Sequence, residues 1–107
     1  MTILLTKLHY LQLGGETMTE ISLPEYFTKV NDRLPGEAER VLKALVEEGS
    51  MNKEDLSLTA RVKRAVLDHV VMQLFALGLV DVSTEGKSKI CSLTRLGGDY
   101  FQLITAG

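Results

Sequence analysis

The spacing of apolar residues changes period at Gly78, and that change limits the folds open to this chain of 107 residues. Before Gly78 the apolar side chains recur every three or four positions, the mark of helices with one face to bury. After it, Leu79 to Thr84 and Lys89 to Leu93 alternate as two short strands, with Val80 and Val82 on one side and Asp81 and Ser83 on the other. Glu85-Gly86-Lys87 forms the turn between them, and from Thr94 the helical spacing returns. The implied class is mainly α with one small β-hairpin, an α+β domain.

Local signals divide the helical part. Ser22-Leu23-Pro24-Glu25 reads as a capping box with proline at the first helical position, where its missing N–H costs nothing. A helix from Pro24 to about Arg33 follows, with Phe27, Val30 and Leu34 on its apolar face, and Pro35-Gly36 interrupts it. The next starts near Glu37, carries Val41, Leu42, Leu45 and Val46, and meets a C-terminal cap at Gly49. Asn52 caps a short helix extending to Ala60, with Arg61-Val62-Lys63 as the junction. Arg64 to Leu77 repeats apolar residues at Leu67, Val70, Val71 and Leu74 and stops at Gly78, the residue best able to turn left-handed. A last helix, Thr94 to about Thr105, carries Leu96, Tyr100, Phe101 and Ile104, and Gly97-Gly98 is expected to weaken it.

With 45% hydrophobic and 24% charged residues, the chain has the balance of one soluble globular domain. Cys91 is its only cysteine, which excludes an intrachain disulfide, a thiolate zinc cluster and a CxxC pair, and makes a cytoplasmic location the expectation. No apolar run approaches the ~18 residues of a membrane span. Ile3 to Leu13 is interrupted by Lys7 and His9 and lacks a small-residue cleavage site, so neither a signal peptide nor an anchor is expected. Gly14-Gly15-Glu16 is encoded by GGN-GGN-GAR, which permits a ribosome-binding sequence before Met18. Residues 1–17 are therefore read as an extension upstream of a start at Met18, with a genuine N-terminal strand or helix as the alternative, and residues 18–107 as the domain.

Helix, short helix, longer helix and hairpin is the order of a winged helix, and the likeness reaches individual residues. Val41-Leu42-Lys43-Ala44-Leu45, Glu54-Asp55-Leu56, Leu74-Phe75-Ala76-Leu77-Gly78-Leu79-Val80 and Ser92-Leu93-Thr94-Arg95-Leu96-Gly97 together resemble the winged helix-turn-helix superfamily of MarR-like and ArsR-like regulators, over about residues 37–104. The resemblance implies that helix 64–77 is a recognition helix placed in the DNA major groove, with wing 79–93 on the backbone. It matches Val62 to the apolar turn residue, Arg64 to the start of the recognition helix, and Lys87 and Lys89 to the wing tip. It also implies a dimer built by terminal helices, presenting two recognition helices to half-sites about one DNA turn apart.

The charge distribution agrees. The total is −2, yet residues 59–95 carry a net of +3, leaving −5 elsewhere. Arg61, Lys63, Lys87, Lys89 and Arg95 are the candidate phosphate contacts, since phosphate neutralisation supplies most non-specific affinity. At 100° per residue, Ala65, Asp68, His69, Met72, Gln73 and Ala76 point outward from the recognition helix. Arg64, His69 and Gln73 are the candidate base contacts, and Arg and Gln can bond guanine and adenine bidentately. Asp68 opposes phosphate, and the face is poor in donors for a strongly specific reader. A winged-helix protein-interaction or assembly module without sequence-specific DNA binding is therefore the alternative. Phe27, Val30, Tyr100, Phe101 and Ile104 on the flanking helices are the candidate dimer interface, given the aromatic enrichment of interface cores.

His69 lacks companions at ligand spacing apart from Asp68, and Cys91 reads as a buried free thiol, so no metal site is assigned. A phosphate loop, GxSxG and HExxH are all missing, and His9 and His69 are the only histidines, so the chain is read as a non-enzyme without a cofactor. The expected partners are double-stranded DNA and a second copy, with no membrane. Any small-molecule effector, the operator and the host are not written in the chain.

Overall fold

The computed structural model describes residues 21–106, so the extension at 1–17 and the start at Met18 lie outside the described residues. In chain order the elements are α1 (Leu23–Arg33), α2 (Gly36–Glu48), β1 (Met51–Asn52), α3 (Lys53–Ala60), α4 (Arg64–Ala76), β2 (Val80–Glu85), β3 (Ser88–Leu93) and α5 (Arg95–Thr105). No helix among them is long and apolar enough to cross a membrane.

The helix boundaries fall within a residue of those expected, because the caps work as the sequence signals. Ser22 accepts from the Glu25 amide at 3.3 Å, Asn52 from Asp55 at 2.8 Å, and Thr94 from Gly97 at 2.9 Å. Pro24 occupies the second helical position rather than the first, still within the turn whose N–H groups have no intrahelical partner. α4 ends in a Schellman motif: Leu79 N–H bonds to Leu74 C=O, Gly78 N–H bonds to Phe75 C=O, and Gly78 adopts φ +78°.

The hairpin is joined by a third strand that the alternation did not reveal. Met51 pairs with Cys91 and Asn52 with Ile90, giving an antiparallel sheet of order β1-β3-β2. Two residues are too few to show a period, so β1 has no sequence signature of its own. The turn is also tighter than expected. Glu85 pairs with Ser88, leaving only Gly86-Lys87 as the loop, and Gly86 takes φ +62° at its first position, as a type II′ turn requires.

One core runs through all the layers. Leu42 of α2, Leu56 of α3, Leu67 and Leu74 of α4, Leu79, and Val80 of β2 are buried together, each side chain contributing about 1.5–3 kcal/mol relative to exposure. α1 and α5 close one side of this core by packing against each other. There the Phe27 and Tyr100 rings meet edge to face at 5.2 Å and 90°. Cys91 is fully buried in the central strand, where desolvation raises its pKa, so the thiol lacks the exposure and thiolate character of a redox sensor.

Gly97 has a packing role that the expectation of a helix weakened by two glycines did not contain. A Cβ there would lie 2.0 Å from the Leu79 carbonyl oxygen, so the glycine is what lets α5 dock against the chain leaving α4. Thr94 completes the joint, its amide donating to Leu79 O at 3.1 Å and its hydroxyl to Gly78 O at 2.6 Å.

Candidate nucleic-acid interface

α3, the turn after it and α4 are locked into one unit by side chains on both sides of the turn. The Ser57 hydroxyl donates to Val62 O, and the Val62 amide donates to Ser57 O, which seats the buried Val62 between the helices. Arg61 makes the turn in the left-handed region at φ 57°, a conformation that costs about 1–2 kcal/mol for an L-residue. From α2, Arg40 donates to Ala60 O at 3.2 Å and Arg61 O at 3.3 Å, satisfying carbonyls at the end of α3. Sequence reasoning missed Arg40, because its partners are backbone atoms twenty positions away.

α4 starts differently from the helices before it. α1, α2 and α3 carry acids in their first turns, whereas α4 carries none and begins with Arg64; like α2 it has no side-chain cap, here at Lys63. Cations at the positive end of a helix are unfavourable in isolation, and the open N–H groups suit an external anion.

Next to that end lies an open cleft of about 390 Å³ between α4, the start of α3 and the wing. It gathers Arg64, Lys53, Lys87 and Lys89 against the carboxylates of Asp68 and Glu54. Asp68 Oδ1 holds both Lys53 Nζ at 3.2 Å and Arg64 Nε at 3.3 Å, and these are the ion pairs found among the described residues. Desolvation acts to raise the Asp68 pKa, but hydrogen bonds and charge from Lys53 and Arg64 outweigh it and hold the carboxyl below its usual range. The four-residue spacing of Arg64 and Asp68 could have disclosed their pair. Lys53 had no such signal, since it arrives from another helix.

The remaining assigned residues spread over a wider surface. His69 is exposed on the outer face of α4, beside Ala65 and Met72. Gln73 lies toward the other end, in an apolar groove with Tyr26, Val30 and Leu77, so it is not brought together with Arg64. Arg61 and Lys63 are exposed on the turn leading into α4. Arg95 sits beyond the far end of β3, with roughly 13 Å of strand between Lys89 and Leu93 alone. On the flanking helices, Phe27, Val30 and Tyr100 are 2%, 8% and 1% exposed and serve the chain's own core, while Phe101 and Ile104 are half-buried. Apolar side chains also face outward from α3 and α4, notably Leu58, Met72 and Phe75.

No family model and no curated protein sequence matches the chain. Solved structures do match it. RV1404 from Mycobacterium tuberculosis superposes with a TM-score of 0.65 at 22% identity, over 75% of this chain and 56% of its own. BpsR from Bordetella bronchiseptica, whose DNA binding is regulated by 6-hydroxynicotinic acid, gives a TM-score of 0.66 at 18% identity, over 98% of this chain and 75% of its own. A MarR family transcription regulator gives 0.65 at 19%, over 78% and 56%. The chain thus spans little more than half the length of RV1404 and of that regulator. The likeness is one of fold: among the described residues, five helices and a small antiparallel sheet arranged as a winged helix-turn-helix.

Proposed function

We propose that this chain is a DNA-binding transcriptional regulator that acts as a dimer, with α4 in the major groove and the β2–β3 wing on the sugar-phosphate backbone. The observation that carries the reading is the meeting of Arg64 at the open start of α4 with Lys87 and Lys89 of the wing along one cleft, on a winged-helix scaffold. In this reading Arg61, Lys63, Lys87 and Lys89 hold phosphates, and Arg95 reaches a more distant one. Arg64, His69 and Gln73 meet base edges. The regulators that share the fold support the same class, and BpsR gives it a precedent in DNA binding. The dimer would use the outer sides of α1 and α5, where Phe101 and Ile104 retain exposed surface.

Titration of duplex DNA over a range of salt concentrations tests this. Affinity should fall linearly on a log–log plot with a slope near −0.9 per phosphate neutralised. Lys87→Ala should weaken all duplexes alike, whereas Arg64→Ala should cost about 1–3 kcal/mol on a preferred sequence and relax the preference. Light scattering reads the dimer independently. A chain that binds no duplex at low salt is not a DNA-binding regulator. Met72 and Phe75 are 65% and 48% exposed, so the alternative, in which α4 docks a protein, is tested on the same helix. Loss of a captured partner on Met72→Asp, with Arg64→Ala silent, would select that reading.

A further inference from the structure

The ion pairs of the described residues converge on one oxygen, Asp68 Oδ1, and that oxygen stands inside the cationic cleft. Surface pairs are worth only about 0.2–1 kcal/mol, so stability alone is a weak reason for this arrangement. The Lys53 side chain is 15% exposed with its ammonium 3.2 Å from Asp68 Oδ1, while the Asp68 side chain is 49% exposed. Lys87 and Lys89, on the opposite wall, pair with no described carboxylate. One wall is thus neutralised from within and the other is open.

We propose that the cleft is a seat for a DNA backbone phosphodiester, held by Lys53 from one side and Lys87 from the other, in which Asp68 serves as the internal counterion that must be displaced before Lys53 can meet the phosphate and Arg64 a base edge. This rests on the DNA-binding reading and adds to it a residue, Lys53, and a cost built into the protein. The displacement is an exchange of partners: Lys53 passes from carboxylate to phosphate, Arg64 is freed toward a base edge, and Asp68 turns toward solvent, for which its half-exposed position leaves room. Asp68 therefore lowers non-specific affinity and flattens its salt dependence, since the displaced carboxylate takes up cations while the DNA sheds its own.

Asp68→Asn keeps the shape and hydrogen-bonding capacity of the side chain while removing its charge. Without a carboxylate to take up a cation on binding, the log–log salt slope of duplex binding steepens by up to about 0.9, and affinity rises roughly tenfold near 50 mM salt and severalfold near 150 mM. Lys53→Ala should then lower affinity more on the Asp68→Asn background than on the wild type. Glu85→Gln removes the same charge from the wing without touching an ion pair, and should give a smaller gain with no dependence on Lys53. Thermal unfolding confirms that each variant is folded. Equal gains from Asp68→Asn and Glu85→Gln, or an unchanged slope in Asp68→Asn with the wild type still binding duplex, would overturn the counterion role and leave the DNA reading intact. Failure of both wild type and Asp68→Asn to bind duplex would overturn both. Replacing chloride by inorganic phosphate at matched ionic strength should leave the duplex isotherm unchanged. Loss of duplex at low millimolar phosphate would instead assign the cleft to free phosphate.

Discussion

Gly97 and Gly98 are neighbours in one helix, yet alanine at the two positions should move stability in opposite directions. A Cβ on Gly97 would meet the Leu79 carbonyl oxygen at 2.0 Å, its carbonyl carbon at 2.9 Å and Leu93 Cδ1 at 2.9 Å. The first of these is roughly 1.4 Å short of ordinary contact at 3.4 Å, and the obstacle is backbone, so the start of α5 must shift as a body. Overpacking of this kind costs about 1–3 kcal/mol. The shift also pulls Thr94 N–H from the same Leu79 oxygen, now at 3.1 Å, exposing a buried joint to a further loss of about 1–3 kcal/mol. Better helix propensity returns about 1 kcal/mol. Gly97→Ala should therefore destabilise the fold by about 2–4 kcal/mol. On Gly98 the new Cβ would meet only Leu93 Cδ2 at 3.8 Å, so Gly98→Ala should stabilise by up to about 1 kcal/mol. Urea unfolding followed by circular dichroism measures both, and thermal melts should separate the variants, at about 4–8 °C per kcal/mol for a domain of this size. If Gly97→Ala is as stable as the wild type, the close approach of α5 to Leu79 is not the reason for the glycine.

Asn52→Ala should lose about 0.5–2 kcal/mol, read by the same unfolding curves, because the side chain that accepts from Asp55 N–H is the N-cap of α3. Arg61→Gly should raise stability by up to about 1 kcal/mol by relieving the left-handed turn, while the loss of a cation makes the salt slope of duplex binding shallower by about 0.9. Burial, with smaller contributions from Glu39 and Asp32, pushes the Tyr100 hydroxyl up to about 12. Its pKa lies above the unfolded value near 10, so its contribution is intact below about pH 10 and is lost as pH rises toward 12, a loss of about 2–3 kcal/mol. Tyr100→Phe should flatten that alkaline decline in pH-dependent unfolding.

The elements that could be read from the chain are those with local causes. Ser22, Asn52 and Thr94 announce helix starts because a short polar side chain bonds an amide three residues on, and the stripe Leu67, Val70, Val71, Leu74 names its own buried face. What escaped depends on partners distant in sequence. β1 exists because Met51 lies beside Cys91, forty residues later, and Gly97 is needed because of Leu79. Aromatic enrichment assigned Phe27 and Tyr100 to an interface with a second copy, whereas within the chain they pack edge to face on each other and are buried. The cationic face was legible as a list of residues, with Asp68 recognised as an obstacle. That Lys53 joins it from α3, and that the carboxylate binds two of the cations, follows only from the packing of α3 against α4.

β1 has a mechanical consequence out of proportion to its two residues. It is continuous with the start of α3 and hydrogen-bonded to β3, the central strand, so the wing is bolted to the helix-turn-helix at its root. Only Gly86 and Lys87 extend past the ladder. The wing is thus a stiff lever rather than a flexible flap, and α3, α4 and the wing tip keep a fixed mutual geometry. Under the proposed function, a signal that alters DNA binding would have to reposition this unit as one rigid body, by changing the angle or separation at which the two copies of the proposed dimer hold it.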